Sequence, residues 1–244
     1  MTGRQKIYVA AAVLTVLAAI CAFVAGRYYV DNKKTNFTEK YVLYVYPDMT
    51  ADQVLDSLQA NAGVIRPKSL KRCFDKIEVA SEMKPGRYVV DDSCTGIYVA
   101  RMLAFGWQTP QKLTLSGTMR SKGRIAQKIA AQMMVDSSAV GAALNDAAFL
   151  SEYGFTPENV FAMILPDTYE MYWTASVKEI FDRLKKEYDA FWTEERLAQA
   201  KAQKMTPMQV SIMASIVSGE TLKAFEEETG IDLESYRFRG IVTF

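Results

Sequence analysis

The sequence predicts an α+β protein with a single transmembrane helix at its N-terminus. An uncharged apolar run at residues 7–24 is about as long as the hydrocarbon core of a bilayer is thick. Short β-rich runs then alternate with helical patterns between residues 41 and 115, and a long amphipathic pattern covers residues 176–200. With 244 residues, half of them apolar, the chain can bury the core of one or two domains.

The composition excludes several classes of function. The 29 basic and 28 acidic residues nearly cancel, so no whole-molecule field attracts nucleic acid, and nucleic acid is not expected as a partner. The chain has no histidine, which excludes Ser-His and Cys-His catalysis and histidine metal ligands. Carboxylates, hydroxyls and lysines must therefore carry any chemistry, and neither a metal nor another cofactor is expected.

The apolar run IYVAAAVLTVLAAICAFV at residues 7–24 predicts an uncleaved membrane anchor. A cleaved signal peptide would have a shorter apolar region and a small-x-small cleavage site, whereas this run leads directly into Gly26 and Arg27. Basic residues flank the run on both sides, so the positive-inside rule does not decide its orientation.

The three cysteines fit either side of a membrane. Cys21 lies within the apolar run, and a lipoprotein function for it is disfavoured because Ile20 stands where a small residue is expected. Cys73 and Cys94 could pair in an oxidising compartment or could be two separately buried thiols, and the sequence leaves both alternatives open.

The region after the anchor predicts a small α+β module. A polar linker at residues 31–40 leads to a strand at 41–46, and Thr50 is placed to cap a helix running to Leu58. KPGRYVV at residues 84–90 then predicts a turn and a second strand, followed by a helix over residues 95–105. Such modules usually bind or space other parts of a protein, and no pair of catalytic groups lies in this one.

Further along the chain the patterns are mostly helical. A third strand at residues 112–115 enters the turn SGTMRSKG, which lacks the spacing of a P-loop and therefore predicts a plain strand-to-helix connection. The following helices are expected at 124–134, at 139–153 ending on Gly154, and at 176–200 as one long amphipathic helix or a helix pair.

The stretch FAMILPDTYEMYW at residues 161–173 combines aromatic, carboxylate and hydroxyl side chains. Asp167, Thr168 and Tyr169 directly follow an apolar run that stops at Pro166. Aromatic rings stack on the apolar faces of sugars while polar groups bind sugar hydroxyls, so this composition fits a carbohydrate site. An aromatic edge of the core with a turn explains the same residues equally well.

The stretch TPMQVSIMASIVSGET at residues 206–221 is the candidate catalytic segment. Thr206 and Pro207 predict a helix start, and the apolar spacing predicts a buried helix running to Gly219. Glu220 then follows at the edge of the core, where desolvation raises the pKa of a carboxylic acid as a general acid near neutral pH requires. A solvated glutamate after a helix end is the alternative interpretation.

With LPDTYEMYW and ASIVSGET both present, the chain resembles the endolytic murein transglycosylases, the MltG or YceG-like family. The resemblance implies an anchor with a cytoplasmic stub at 1–30, a linker at 31–40, a LysM-like module at 41–106 and a mostly helical catalytic domain at 107–244. Because the family's domain continues further, the resemblance also predicts that this catalytic domain is partial and that the chain is truncated at its C-terminus.

The resemblance further assigns roles to individual residues. It makes Glu220 the catalytic acid and implies that substrate is bound by five residues: Asp167, Thr168, Tyr169, Ser215 and Thr221. Two residues that precede the catalytic glutamate in the family motif are replaced here by Ser218 and Gly219, and an acidic residue upstream of the PDTY segment is replaced by Phe161.

The function implied by the resemblance is non-hydrolytic cleavage of peptidoglycan between N-acetylmuramic acid and N-acetylglucosamine, which leaves 1,6-anhydro ends. Its implied partners are glycan strands, the inner membrane and cell-wall synthases, with the body of the protein on the extracytoplasmic side. The alternative from another class is an anchored scaffold that binds peptidoglycan without cleaving it.

Overall fold

The computed structural model describes residues 3–116 and 121–214, and the chain divides into two compact units, Met1–Thr109 and Pro110–Phe244. The architecture is mixed α+β, with one two-stranded antiparallel sheet in each unit. Each unit has its own cluster of buried apolar side chains.

The first unit begins with one long helix, α1 (Gly3–Lys33). At 1.5 Å per residue its 31 residues extend about 46 Å, which exceeds the roughly 30 Å thickness of a bilayer's hydrocarbon core. Within Ala11–Lys33, an 18-residue window has a mean hydropathy of 1.9, and none of that window is buried by the rest of the protein. This N-terminal helix is therefore long and apolar enough to cross a membrane once.

The rest of the first unit follows the predicted order of strands and helices. Its elements are β1 (Tyr41–Val45), α2 (Ala51–Asn61), α3 (Pro67–Lys76), α4 (Val79–Glu82), β2 (Gly86–Val90) and α5 (Gly96–Phe105). β1 and β2 pair antiparallel, with Tyr41 opposite Val90 and Val45 opposite Gly86. Alternate residues of both strands, including Leu43 and Tyr88, enter the core.

Helix caps explain where the helices of this unit begin. The Thr50 hydroxyl accepts the Gln53 N–H, and the Gln53 side chain accepts the Thr50 N–H, which completes a capping box at the start of α2. The Thr95 hydroxyl accepts the Tyr98 N–H and caps α5, and Gly106 ends that helix at a φ of +68°. The predicted strands and helices are confirmed, with α2 three residues longer than expected.

Of the three cysteines of this unit, Cys21 is exposed on α1, while Cys73 and Cys94 are buried, and all three are free. The sequence left open whether Cys73 and Cys94 form a disulfide or are two separate buried thiols, and the structure contains two separate thiols.

The second unit contains more helices than the sequence suggested. Its elements are β3 (Gln111–Leu115), α6 (Lys122–Ala130), α7 (Ser137–Ala143), α8 (Ala147–Ser151), a 3₁₀ turn (Val160–Met163), β4 (Asp167–Met171), α9 (Val177–Phe191) and α10 (Glu194–Ala202). β3 and β4 pair antiparallel, with Gln111 opposite Met171 and Leu115 opposite Asp167. The core lies between this sheet and the helices, among side chains such as Leu113, Ile129 and Phe181.

Three expectations for the second unit are corrected. The helix expected over residues 139–153 is two helices, because the Asp146 carboxylate accepts the N–H groups of Ala148 and Phe149 and starts α8. The helix expected to reach Met134 ends at Ala130. β4 was not predicted, because three of the five residues in DTYEM are polar, although Tyr169 and Met171 alternate with Thr168 and Glu170 as in a half-buried strand.

Of the two alternatives predicted for residues 176–200, one long amphipathic helix or a helix pair, the structure contains the helix pair, α9 and α10. A capping box of Ser176 and Glu179 starts α9, and Thr193 caps α10. Ile180 and Leu184 on α9 are fully buried, as the amphipathic spacing predicted.

The helix that leads toward Glu220 begins where the sequence predicted. Residues 207–214 are helical, and Thr206 caps them. The expectation of burial is wrong for the described part of this helix, because Met213 is 51% exposed and Ile212 is 42% exposed. Contact with the core of the unit is made in the first turn, through Met208.

Candidate active site

Two of the predicted substrate-binding residues lie at one end of the β3–β4 pair. Asp167 and Thr168 are the first residues of β4, and both side chains are exposed. They stand opposite Leu115 and Thr114, and the hydroxyl oxygens of Thr168 and Thr114 lie 3.1 Å apart. We call Thr114, Asp167 and Thr168 the polar strand end. Its carboxylate and hydroxyls are groups that bind sugar hydroxyls.

Side chains from α6 and the segment after it hold the outer edge of β3. The Gln132 amide accepts the Thr114 N–H at 2.9 Å and donates to the Thr114 carbonyl at 3.2 Å, as a neighbouring strand would. The ammonium of Lys128 binds the carbonyl of Ser116. These contacts fix the backbone of β3 beside Thr168, so the polar strand end is rigidly supported.

Sequence reasoning missed Thr114 and Gln132. The alternation in QKLTL places Thr114 on the face opposite Leu113 and Leu115, and this signal could have marked it as an exposed partner for another strand. The contact of Gln132 with β3 has no local sequence signal, because it depends on how α6 packs against the sheet.

Tyr169 is not placed to bind substrate. Its side chain is 1% exposed, and its hydroxyl donates a 2.5 Å hydrogen bond to the Leu165 carbonyl. Burial raises the pKa of Tyr169, and the nearby charges of Asp167 and Glu187 raise it further, so the phenol stays neutral. The expectation that Tyr169 contacts a glycan is therefore corrected: it is a core residue beneath the polar strand end.

The remaining predicted site residues, Ser215, Glu220 and Thr221, lie outside the described residues, as does the turn at residues 117–120. The start of the helix that leads to them is well defined. The Thr206 N–H donates to the Gln209 side chain at 2.8 Å, and the Gln209 N–H donates to the Thr206 hydroxyl at 3.3 Å.

Within residues 3–116 and 121–214, no group of three or more Cys, Asp or Glu side chains is arranged to hold a metal ion. The part of the candidate site that the structure describes offers hydroxyl, amide and carboxylate groups.

The sequence pattern of the YceG-like family matches residues 43–229. The chain belongs to the YceG-like family. The match begins within β1, just after α1 and the linker, and it includes both the polar strand end and Glu220. This YceG-like region therefore covers every residue that the sequence proposed for the site.

Solved structures similar to this YceG-like chain include the crystal structure of a putative YceG-like protein from Listeria monocytogenes. The two chains are 18% identical, and the TM-score is 0.38. The similarity covers 69% of this chain and 60% of that chain, so this chain spans less than two thirds of the length of its relative. No curated protein matches the sequence.

Proposed function

We propose that this YceG-like protein is a membrane-anchored endolytic lytic transglycosylase of peptidoglycan. The observation that carries the proposal is the family match over residues 43–229, which contains Glu220 together with Asp167 and Thr168. Two described features support it: the capped helix that leads toward Glu220, and the exposed hydroxyl and carboxylate groups of the polar strand end.

In the proposed reaction Glu220 acts first as an acid and then as a base. Its carboxylic acid protonates the oxygen that joins C1 of N-acetylmuramic acid to C4 of N-acetylglucosamine, and the bond from C1 to that oxygen breaks. The C6 hydroxyl of the muramic acid then attacks C1 and gives its proton to the Glu220 carboxylate. The products are a free C4 hydroxyl and a 1,6-anhydro end, and no water is consumed.

This mechanism needs one carboxyl group where a glycosidase needs two. Hydrolytic glycosidases use a second carboxylate to activate water or to form a covalent intermediate. Here the substrate's own hydroxyl is the nucleophile, and the roles of Asp167, Thr168, Ser215 and Thr221 are to bind the glycan. No metal or cofactor takes part in the proposed reaction.

The proposal places the enzyme in the cell inner membrane. The single long apolar helix α1 would be the anchor, and the body would face the extracytoplasmic side, where peptidoglycan lies. Residues 41–106 would form the LysM-like module, which their order of strand, helices and strand supports. An enzyme held there can end the elongation of glycan strands beside the cell-wall synthases.

The test is digestion of purified peptidoglycan by the full chain and by the Glu220→Gln variant. We expect the variant to release anhydro-ended glycans roughly a hundredfold to ten-thousandfold more slowly, which is the usual contribution of a general acid. Glu152→Gln is the matched control, because Glu152 is exposed at the end of α8 and plays no part in the mechanism. Undiminished release by Glu220→Gln would refute the assignment.

A second candidate function, an anchored scaffold that binds glycan strands without cleaving them, is favoured by an aromatic patch formed by α5 and the residue just after its cap. Tyr98, Phe105 and Trp107 are 47%, 62% and 49% exposed. The Trp107 ring centroid lies 6.1 Å from that of Tyr98 and 5.6 Å from that of Phe105. Exposed aromatic rings of this kind stack on sugar faces.

The two candidates differ in sedimentation and product analysis. For the scaffold, the chain sediments with insoluble peptidoglycan and yields no anhydro product, and Trp107→Ala weakens sedimentation severalfold. Leu197→Ala is the control, because Leu197 is comparably exposed at 42% but lies on α10 in the second unit, outside both the aromatic patch and residues 161–173. Sedimentation together with anhydro products supports the enzyme.

A further inference from the structure

The helix α1 does not end where its apolar run ends. The run stops at Val24, and Val30 is six residues further, about 9 Å along the helix axis. Each headgroup layer of a bilayer is about 5–8 Å thick. If α1 spans a membrane, Val30 lies at the outer surface of the headgroups. Tyr28 and Tyr29, both more than half exposed, then lie within the headgroup layer, as interfacial tyrosines do.

The loop before α3 is fastened to the chain just after α1. The Ile65 N–H donates to the Asn36 carbonyl at 2.9 Å, and the Arg66 N–H donates to the Asn36 side chain at 2.8 Å. The Arg66 guanidinium also donates to the Thr35 carbonyl at 2.9 Å. Because Thr35 and Asn36 follow α1 by only two and three residues, this loop lies at the same level as the end of the helix.

A second attachment joins α3 itself to α1. The Asp31 carboxylate accepts hydrogen bonds from the Arg72 guanidinium at 2.7 Å and from the Ser69 hydroxyl. The ammonium of Lys76 lies 5.4 Å from the centre of the Tyr28 ring. These contacts hold α3 along the end of α1: Ser69 and Arg72 lie beside Asp31, and Lys76 lies beside Tyr28.

Between α1 and α3 lies an open groove with cationic walls. Its lining residues are Val30, Arg66, Pro67, Lys68, Ser69 and Arg72. Arg72 is neutralised by Asp31. Among the described residues, no carboxylate lies within ion-pair distance of Arg66 or Lys68, and Lys68 is exposed. Two uncompensated positive charges therefore face the groove.

Apolar side chains and further cations surround these two charges. Ile65, directly before Arg66, is 48% exposed, and Pro67 between the two cations is also exposed. Lys33 and Lys34 are exposed at the end of α1. Apolar side chains flanked by lysine and arginine are typical of segments that contact the surface of an anionic membrane.

We propose that the groove between α1 and α3 is a docking surface for the headgroups of anionic phospholipids, with Arg66 and Lys68 binding their phosphates. The occupant is the membrane that α1 spans, because the groove is continuous with the anchor and opposite in charge to such lipids. The first unit is thereby held against the bilayer surface and responds to its lipid composition. This inference depends on α1 being the anchor and not on catalysis by Glu220.

The test uses the full chain in lipid nanodiscs with a fluorophore at the proposed contact. Cys21→Ser with Ile65→Cys leaves one exposed thiol for an environment-sensitive dye, because Cys73 and Cys94 are buried. In nanodiscs that contain phosphatidylglycerol we expect emission at shorter wavelength than in pure phosphatidylcholine. The shift should be lost in the double variant Arg66→Gln with Lys68→Gln. It should also shrink in 0.5 M NaCl, because the Debye length is then about 4 Å and the attraction between the cations and the lipid phosphates is screened.

The control replaces one lysine and one arginine elsewhere in the first unit. Lys84→Gln with Arg101→Gln removes the same charge from exposed positions outside the groove and should keep the full shift. Replacement of Arg66 removes its hydrogen bond to Thr35 and could disturb folding, so Lys68→Gln alone is a second variant. Lys68 is exposed, and its replacement should lower the shift about twofold without disturbing the fold. Equal emission in both lipids, or a full shift in the Arg66 and Lys68 variant, would overturn the proposal. So would the same shift on adding inorganic phosphate to detergent-solubilised protein, because the site would then bind free anions.

Discussion

The carboxylate of Asp31, near the end of α1, accepts a 2.7 Å hydrogen bond from the guanidinium of Arg72 on α3. The side chains of Asp31 and Arg72 are only 16% and 32% exposed, so water screens the pair weakly. The pair joins the long N-terminal helix to the module that follows it. The helix α1 and the module that follows it are therefore joined by a defined side-chain contact, whereas the sequence predicted only a polar linker at residues 31–40.

We predict a measurable coupling energy between Asp31 and Arg72. In a double-mutant cycle of Asp31→Ala and Arg72→Ala, the coupling in the free energy of unfolding should be about 1–2 kcal/mol, as for partly buried charged hydrogen bonds. Urea unfolding in detergent, followed by circular dichroism, measures it. The pair of Lys71 and Asp52, whose side chains are 62% and 83% exposed, is the control and should show no resolvable coupling. No coupling between Asp31 and Arg72 would contradict a defined contact.

The cap at Thr206 should matter for activity as well as for stability. Thr206→Ala removes the capping box of the helix that leads to Glu220, and the unfolding free energy should fall by about 1 kcal/mol. If that helix positions the general acid, cleavage of peptidoglycan by the folded protein should also fall severalfold. Thr193→Ala removes a similar cap from α10 and should lower stability without lowering cleavage. Equal activities of the two variants would argue against the positioning role.

Replacement of Tyr169 distinguishes a core residue from a sugar-binding one. Tyr169→Phe keeps the buried ring and leaves the Leu165 carbonyl without its hydroxyl partner, which should cost about 1–2 kcal/mol of stability. Cleavage of peptidoglycan per folded molecule should stay unchanged, because the side chain is 1% exposed. A drop in cleavage with full stability would instead restore Tyr169 to the substrate site.

The buried thiols predict a loss of stability at alkaline pH. Burial raises the pKa of Cys73 to about 11, with the charge of Asp31 adding to the effect, against a usual value near 9. The pKa of the Cys94 thiol is raised mainly by burial as well. Because the thiol pKa is higher in the folded state, the unfolded chain loses the proton first as the pH rises. The contribution of the buried thiol to the free energy of unfolding is therefore fully present below about pH 9 and is lost as the pH approaches 11.

This pH dependence can be measured by urea unfolding between pH 8 and pH 11. Cys73→Ala should flatten the decline, because it removes one of the two thiols. Cys21→Ser, whose thiol is exposed on α1, is the control and should leave the slope unchanged. A slope that is the same with and without Cys73 would show that its burial is not linked to folding.

Local signals in the sequence located most elements of the fold. Thr50, Thr95 and Ser176 are helix caps in the structure because a hydroxyl just before an amphipathic pattern satisfies free backbone N–H groups there. Asp146 carries the same signal. It was missed because the apolar residues on both sides of it fit one continuous helix, although its cap splits α7 from α8.

Features that depend on distant parts of the chain could not be predicted. β4 exists because Asp167 to Met171 pair with β3 across more than fifty residues, and its own composition is mostly polar. The burial of Tyr169 follows from that pairing, since it stands opposite Leu113 on the inner face. The sequence therefore marked this segment as a candidate site but did not show which of its side chains face solvent.

The central claim is that the carboxyl group of Glu220 cleaves glycan strands without water. The most direct measurement is mass spectrometry of the glycans that the full chain releases from purified peptidoglycan in water enriched in oxygen-18. We predict products with 1,6-anhydro ends that carry no heavy oxygen, and almost none from Glu220→Gln. Heavy oxygen at the new reducing ends, or undiminished anhydro products from Glu220→Gln, would contradict the account.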